Sequence, residues 1–209
     1  MLIKKGAEAD LYLEEWHGRK VVMKRRVVKD YRVPQLDSQI RVHRTIHEPQ
    51  IIHRAKEAGV PTPIIFAVDL AESTIIMEWV EGKQVKQVLN DLSAEERLGL
   101  CQTMGELIGR LHNSGIIHGD LTTSNMILTP SGKVVFVDFG LSEQSNELEA
   151  RGVDMHLMKR ALQSTHYSYA RECFKAIIEG YRKIVGKEAV DVLEKVREIE
   201  RRGRYISER

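Results

Sequence analysis

The segment His118-Gly119-Asp120-Leu121-Thr122-Thr123-Ser124-Asn125 is followed, thirteen residues after the asparagine, by Asp138-Phe139-Gly140. Two carboxylates and a carboxamide at this spacing suit phosphate chemistry. A polyphosphate needs a hard divalent cation to offset its charge, and a carboxylate with an amide oxygen supplies hard ligands for Mg2+. Asp138 and Asn125 are the candidates for that metal. Asp120 is then free to orient an acceptor hydroxyl or a water and to take its proton. Taken singly, each residue has a plainer explanation, because Asp or Asn beside a turn is ordinarily a cap or an Asx-turn. It is the three together, in this order, that favour chemistry. His118 is read as a packing and hydrogen-bonding residue of the loop.

The first segment matches the protein-kinase pattern HxDLxxxN and the second the DFG metal loop, at a separation that one β-hairpin fills. Upstream, Val21-Val22-Met23-Lys24 resembles the VAIK strand, with Lys24 placed to reach the α- and β-phosphates of ATP. A lone lysine at a strand end is normally solvated, and only the downstream motif gives this one a task. Its acidic partner should lie on the following helix; Glu48 is the first candidate and Glu57 the second. No GxGxxG occurs where a glycine-rich loop should be, and Gly6-Ala7-Glu8-Ala9 takes that place. Met77-Glu78-Trp79-Val80-Glu81 reads as the connector between lobes, with the backbone around Met77, Glu78 and Val80 available to adenine. Met77 as an ordinary core-strand residue is equally compatible.

The elements that must position these groups can be read from periodicity. Ala9 to Leu13 and Val21 to Lys24 flank the turn His17-Gly18 as a hairpin. Asp37 to Ala58 is helical in period and stops at Gly59, with Pro49 expected to kink or interrupt it. Ile64 to Val68 and Thr74 to Trp79 form a strand pair. Ser93-Ala94-Glu95-Glu96 is a capping box opening a helix that runs to Asn113. Met126 to Leu128 and Val134 to Val137 make a hairpin around Pro130-Ser131-Gly132, and beyond Asp154 the chain is helical, broken near Gly186. The expected fold is α+β: a minimal bilobal protein-kinase-like fold, with a β-rich N-terminal lobe over residues 1–80 and a reduced helical lobe over 81–209, hinged at Glu81-Gly82.

At 209 residues, 42% hydrophobic and 30% charged, the composition is that of a soluble globular chain able to bury a core. No apolar run approaches a membrane span, and Met1 to Asp10 lacks a signal-peptide core, so no membrane association and a cytoplasmic location are expected. Cys101 and Cys173 lack metal-ligand spacing and are read as apolar fillers. Net charge is +2, but Arg19 to Arg54 carries ten Lys/Arg against three acids. Such a stretch suits phosphate, nucleic acid or an acidic partner, or is simply a solvated face.

Several strings together resemble one family: Gly6-Ala7-Glu8-Ala9, Lys29 with Tyr31-Arg32-Pro34-Leu36-Asp37, Ala58-Gly59-Val60-Pro61-Thr62-Pro63, the loop from His118 to Asn125, and Arg202-Gly203-Arg204. This is the small atypical kinase/ATPase subunit of the KEOPS complex, called the PRPK family in eukaryotes. The resemblance implies a trimmed kinase fold that binds ATP and Mg2+. It also implies a Ser/Thr kinase able to autophosphorylate and to act as an ATPase, supporting N6-threonylcarbamoyladenosine modification of tRNA. The implied partners are the ASKHA-fold threonylcarbamoyl-transferase subunit, a small KEOPS subunit at the N-terminal lobe, and tRNA.

The residues independently describe a weak protein kinase. Gly119 replaces the Arg of HRD, and Thr122 replaces the Lys that assists the transferred phosphate. Between Gly140 and Asp154 lie only thirteen residues with no APE, too few for a conventional activation segment. Pro49, directly after Glu48, is expected to leave the Lys24–Glu48 pair either stretched or assembled only on binding. The tail from Arg197 to Arg204 reads either as a helix with i,i+4 charge pairs or as a tRNA or partner contact. Two rival readings are a small-molecule kinase of the aminoglycoside or choline type, for whose helical insertion the chain has no room, and a nucleotide-sensing scaffold.

Overall fold

The computed structural model describes residues 1–206. The chain opens with strands β1 (Leu2–Lys5), β2 (Ala9–Trp16) and β3 (Arg19–Arg26), followed by helix α1 (Pro34–Glu57), β4 (Ile65–Asp69) and β5 (Thr74–Glu78). These five strands form one antiparallel sheet in the order β1-β2-β3-β5-β4. The β2–β3 turn works because His17 and Gly18 both take positive φ, 49° and 74°, the primed geometry whose twist matches its flanking strands.

Helix α1 begins three residues before the expected Asp37, because Pro34 supplies a pre-set φ at a position whose N–H would be unpaired anyway. It then runs through Pro49 without interruption, contrary to the sequence expectation. The helix is held on both sides of the proline: Glu48 is anchored by cations from β3, and Ile51, Ile52 and Ala55 are buried in the main core. Tertiary packing of one helical face outweighs the single backbone bond that proline removes.

After the connector come β6 (Lys83–Gln84), a short α2 (Val85–Val88), α3 (Ala94–Asn113), β7 (Ile116–Ile117), β8 (Met126–Leu128), β9 (Val134–Phe136) and β10 (Glu143–Gln144). Three helices close the chain: α4 (Leu148–Thr165), α5 (Ala170–Val185) and α6 (Ala189–Ile206). Strands β6-β8-β9 form one small sheet and β10-β7 another. Ser93 caps α3 reciprocally with Glu96, as its box requires: Ser93 Oγ accepts from the Glu96 N–H at 3.3 Å, and Glu96 Oε2 accepts from the Ser93 N–H at 3.0 Å.

The helical region differs from expectation in two places. Helix α4 starts at Leu148, six residues before Asp154, and the chain breaks again at His166 to Tyr169. That break carries no Gly or Pro; it exists because buried His166 turns inward to meet Asn90 Oδ1 at 2.7 Å and Thr123 Oγ1 at 3.1 Å. Cys101 and Cys173 are free thiols, both fully buried, and the hydrogen bond between them, aided by burial, pushes the Cys101 thiol up.

The core contains α3, α4, α5 and β9 residues such as Met104, Ile108, Phe136, Met158, Ile177 and Tyr181, and it also takes in the C-terminal half of α1. The sheet region and the helical region therefore share buried apolar surface through α1. Helices α3 and α5 cross at glycines: a Cβ on Gly105 would strike the Ile177 carbonyl, and one on Gly180 the Gln102 carbonyl. Among the described residues no helix is long and apolar enough to cross a membrane.

Gly105→Ala should therefore force two backbones apart. A cost of about 1–3 kcal/mol is expected, as for other overpacked cores. Thermal unfolding followed by circular dichroism should show the midpoint falling by roughly 2–4 °C per kcal/mol in a chain of this size.

Candidate active site

Of the sequence candidates, Gly6, Ala7, Glu8, Lys24, Asp120 and Asp138 line a cavity of about 240 Å3 between the β1–β2 turn, β3 and the loops around β8 and β9, whereas Glu48 and Asn125 stand behind its wall. Lys24 lies on β3, 6% exposed, and its Nζ donates to Glu48 Oε1 at 2.7 Å and to Asp138 Oδ1 at 2.6 Å. Glu48, not Glu57, is the helix partner; Glu57 faces solvent beside His53. The Lys24–Glu48 pair is fully formed, correcting the expectation that Pro49 would stretch it. Glu48 accepts a second cation, Arg26, whose Nη2 lies 2.6 Å from Oε2.

Asp138 adopts φ +63°, uncommon for a residue other than glycine. It is held there by Lys24 and by the short chain that follows: Ser142 Oγ donates to the His118 carbonyl at 2.9 Å, and the Ser142 carbonyl meets His47 Nε2 at 3.1 Å. Such local strain persists only where the surroundings over-determine it.

The catalytic-loop residues are ordered by one another. Asn125 Nδ2 donates to the Asp120 carbonyl at 2.9 Å and to Asp120 Oδ2 at 2.8 Å, so the amide oxygen of Asn125 is turned away from that pair. His118 bonds the Val137 carbonyl through Nε2 at 3.2 Å, and its Nδ1 accepts from the Asp120 N–H at 3.4 Å, an arrangement that requires neutral imidazole. Burial lowers its pKa, which agrees. Gly119 sits at φ +78°, and a Cβ there would collide with the Leu141 carbonyl. The chain after Asp138 passes too close for any side chain, which accounts for the missing arginine.

Asp154, which belongs to no sequence motif, holds this loop. Fully buried on α4, it accepts the His118 N–H at 2.7 Å, the Gly119 N–H at 3.0 Å and His112 Nε2 at 3.3 Å. No local pattern announces such a contact. Arg26, Arg44 and Lys4 also line the cavity and were not singled out. For the two arginines a signal existed: Arg26 lies two residues beyond Lys24 on a strand, and Arg44 four residues before Glu48 on a helix, each pair on one face.

Gly6, Ala7 and Glu8 line the cavity as expected. They form a tight turn, closed by the Gly6 N–H on the Ala9 carbonyl at 3.1 Å. Met77, Glu78 and Val80 do not line this cavity. Met77 is 8% exposed on β5, opposite Val22, and the Glu78 N–H is taken by the Ile64 carbonyl at 2.8 Å. The Arg19 to Arg54 stretch is divided: Lys24, Arg26, Arg32, Arg41 and Arg44 pair with Glu48, Glu8, Asp37 and Asp138, while Arg19, Lys20 and Arg54 stay exposed. In the tail, α6 reaches Ile206 and Arg202 pairs with Glu149 at 2.7 Å; the Arg204 side chain lies outside the described residues.

A metal held by Asp138 and Asn125 would have to arrive with oxygens of its own. Among the described residues no group of three His, Cys, Asp or Glu could hold an ion unaided. One carboxylate and one amide oxygen leave positions for phosphate and water, as Mg2+ prefers.

The sheet, the αC-like helix α1 and the two loops define a protein-kinase-like fold. A family model described as the RIO domain matches residues 19–171. The chain is similar in structure to a Rio2 kinase–ADP/Mg2+–phosphoaspartate complex from Chaetomium thermophilum, with a TM-score of 0.65 and 18% identity over 95% of this chain and 70% of that one. The KEOPS complex subunit Bud32 of Pyrococcus abyssi is 49% identical, covering 98% of this chain and 96% of its own length. A probable bifunctional tRNA threonylcarbamoyladenosine biosynthesis protein of Methanothermobacter thermautotrophicus is 47% identical over 98% of this chain, which spans only 36% of that protein. The chain belongs to the RIO-domain family and, within it, to the family of the KEOPS complex subunit Bud32.

The coupling of Lys24 and Asp138 has a pH signature. Burial pulls Lys24 down, but Glu48 and Asp138 outweigh it and hold the amine above its ordinary 10.5. Burial pushes Asp138 up, but the Lys24 charge outweighs it and holds the carboxyl below its ordinary 3.8. The Asp138 contribution to stability is thus complete above pH 3.8 and lost as pH falls through the lower folded value. The Lys24 contribution is complete below pH 10.5 and lost as pH rises through the higher folded value. The melting-temperature advantage of wild type over Asp138→Asn should be flat from about pH 5 to pH 9 and vanish in acid. An advantage that persists undiminished at about pH 2 would sink the assignment.

Proposed function

We propose that this chain binds ATP with Mg2+ in the cavity between its two lobes and hydrolyses it, with slow transfer to Ser or Thr hydroxyls, including its own, as a secondary reaction. The observation that carries this reading is the pair of bonds from Lys24 Nζ, to Glu48 at 2.7 Å and to Asp138 at 2.6 Å, which joins β3, α1 and the metal loop at one cavity that Asp120 also lines. The lobes divide near Glu81-Gly82, giving residues 1–80 and 81–209.

Asp138 and the amide oxygen of Asn125 would hold Mg2+, which when bound offsets phosphate charge. Lys24 then exchanges its bond to Asp138 for phosphate oxygens while Glu48 keeps it oriented. Asp120, fixed by Asn125, orients a water or hydroxyl and accepts its proton. Only residues 141–147 separate the DFG glycine from α4, so no platform for a peptide substrate exists there. Water is the acceptor that needs none.

Nearly full-length likeness to a KEOPS complex subunit supports placing the chain in that complex, and we place that complex in the cytoplasm. The fusion of related sequence into threonylcarbamoyladenosine biosynthesis proteins supports a role in tRNA modification. Its partners there are the ASKHA-fold threonylcarbamoyl-transferase subunit, a small subunit at the N-terminal lobe, and tRNA, reached through exposed Arg19, Lys20 and Arg54 or through α6.

Asp120→Ala should cut ATP turnover by about a hundredfold or more while nucleotide binding stays within reach of wild type. Unchanged turnover with intact binding would remove Asp120 as the base. Unimpaired tRNA modification by that variant in the assembled complex would favour a scaffold role instead. tRNA affinity should fall steeply with salt, with a slope of roughly −0.7 to −0.9 in log–log terms per phosphate contacted. A salt-independent affinity in filter binding would exclude phosphate contacts.

A further inference from the structure

Arg26 and Arg44 are cations of the cavity wall for which the chemistry above has no task. Arg26 is 4% exposed; its Nη2 bonds Glu48 and the Arg44 carbonyl, and its Nε is buried with no partner among the described residues. Arg44 stands one turn before Glu48 on α1 and reaches the β1–β2 turn, where its Nη1 donates to Glu8 Oε2 at 2.8 Å. Arg32 donates to the other carboxylate oxygen of Glu8 at 3.1 Å. Glu8 therefore presents two anionic oxygens to two guanidinium groups, which is how such groups also receive a phosphate. With Arg44 31% and Glu8 38% exposed, the pair is partly solvated, and pairs of this kind exchange partners readily.

We propose that Glu8 is a resident stand-in for the terminal phosphate of a nucleoside triphosphate, and that Arg44 exchanges Glu8 for that phosphate when the triphosphate binds. The inference rests on the nucleotide reading above and adds to it a basis for telling triphosphate from diphosphate. Lys24 serves the inner phosphates and the Gly6–Ala9 turn lies over them, so the outer end of the chain of phosphates meets Arg44. Lys4, Lys24, Arg26 and Arg44 face Glu8, Asp120 and Asp138 in the cavity. Moving Glu8 aside exposes one more positive charge, which the additional anionic group of a triphosphate satisfies and a diphosphate does not reach. After hydrolysis Glu8 recovers Arg44, and the turn returns to the arrangement seen here.

Calorimetric titration with Mg2+ and either ADP or a non-hydrolysable ATP analogue tests this on wild type, Arg44→Ala and Glu8→Gln. Arg44→Ala should weaken the analogue by about tenfold, the value of one charge-assisted hydrogen bond, and leave ADP within about twofold. Glu8→Gln should tighten the analogue by about threefold, because the competing carboxylate is gone. Equal weakening of both nucleotides by Arg44→Ala, or of neither, overturns the proposal. So does weaker analogue binding by Glu8→Gln, which would make Glu8 a pin for the turn alone. Failure of wild type to bind either nucleotide overturns the nucleotide reading too, whereas normal wild-type binding with an indifferent Arg44→Ala variant sinks only this inference.

Discussion

A single buried carboxylate, that of Glu48, holds this structure's working parts in register. It is 1% exposed and faces two cations from the same strand, Lys24 at 2.7 Å and Arg26 at 2.6 Å. Removing one member of such a cluster leaves an uncompensated buried charge, which costs roughly 3–5 kcal/mol in comparable cases, so the three positions are locked to one another. Through Lys24 the cluster extends to Asp138 and the loop after β9, and through the Arg44 carbonyl and side chain to Glu8 and the turn over the cavity. Sheet, helix and loop are thereby placed relative to each other.

The second constraint is the absence of length between Gly140 and α4. A full kinase uses that length to dock a peptide and to carry a regulatory phosphate that an HRD arginine reads. Here the chain folds straight back, pairs β10 with β7, and runs so near the catalytic loop that position 119 accommodates only glycine. The loop is fixed instead from below by fully buried Asp154, which collects two backbone N–H groups and a histidine.

Helix α1 explains how so small a bilobal protein stays together. Its N-terminal half carries the charged contacts, Asp37, Arg41 and Arg44, and its C-terminal half is driven into the helical core by Ile51, Ile52 and Ala55. The Phe136 N–H on the Pro61 carbonyl at 2.8 Å adds a strap just beyond the helix. A helix anchored at both ends in different surroundings can tolerate Pro49, and it transmits position from the core to the cavity.

Much of this was legible in local sequence, because the relevant physics is local. The capping box at Ser93, the paired positive-φ residues at His17-Gly18, the strand alternation of β3 and the Asp120–Asn125 contact each act within a few residues or along one element. The i,i+2 and i,i+4 spacings of Lys24 with Arg26 and of Arg44 with Glu48 were present in the sequence too, though each pair gains meaning only when the other faces it. What the tertiary structure alone decided was long-range. Asp154 and His166 reach residues more than thirty positions away, Glu8 meets arginines from a loop and a helix, and Pro49 is overruled by packing on both sides. Periodicity carries no information about which charges will share a buried site, because that depends on folding distant elements into one volume where water no longer screens them.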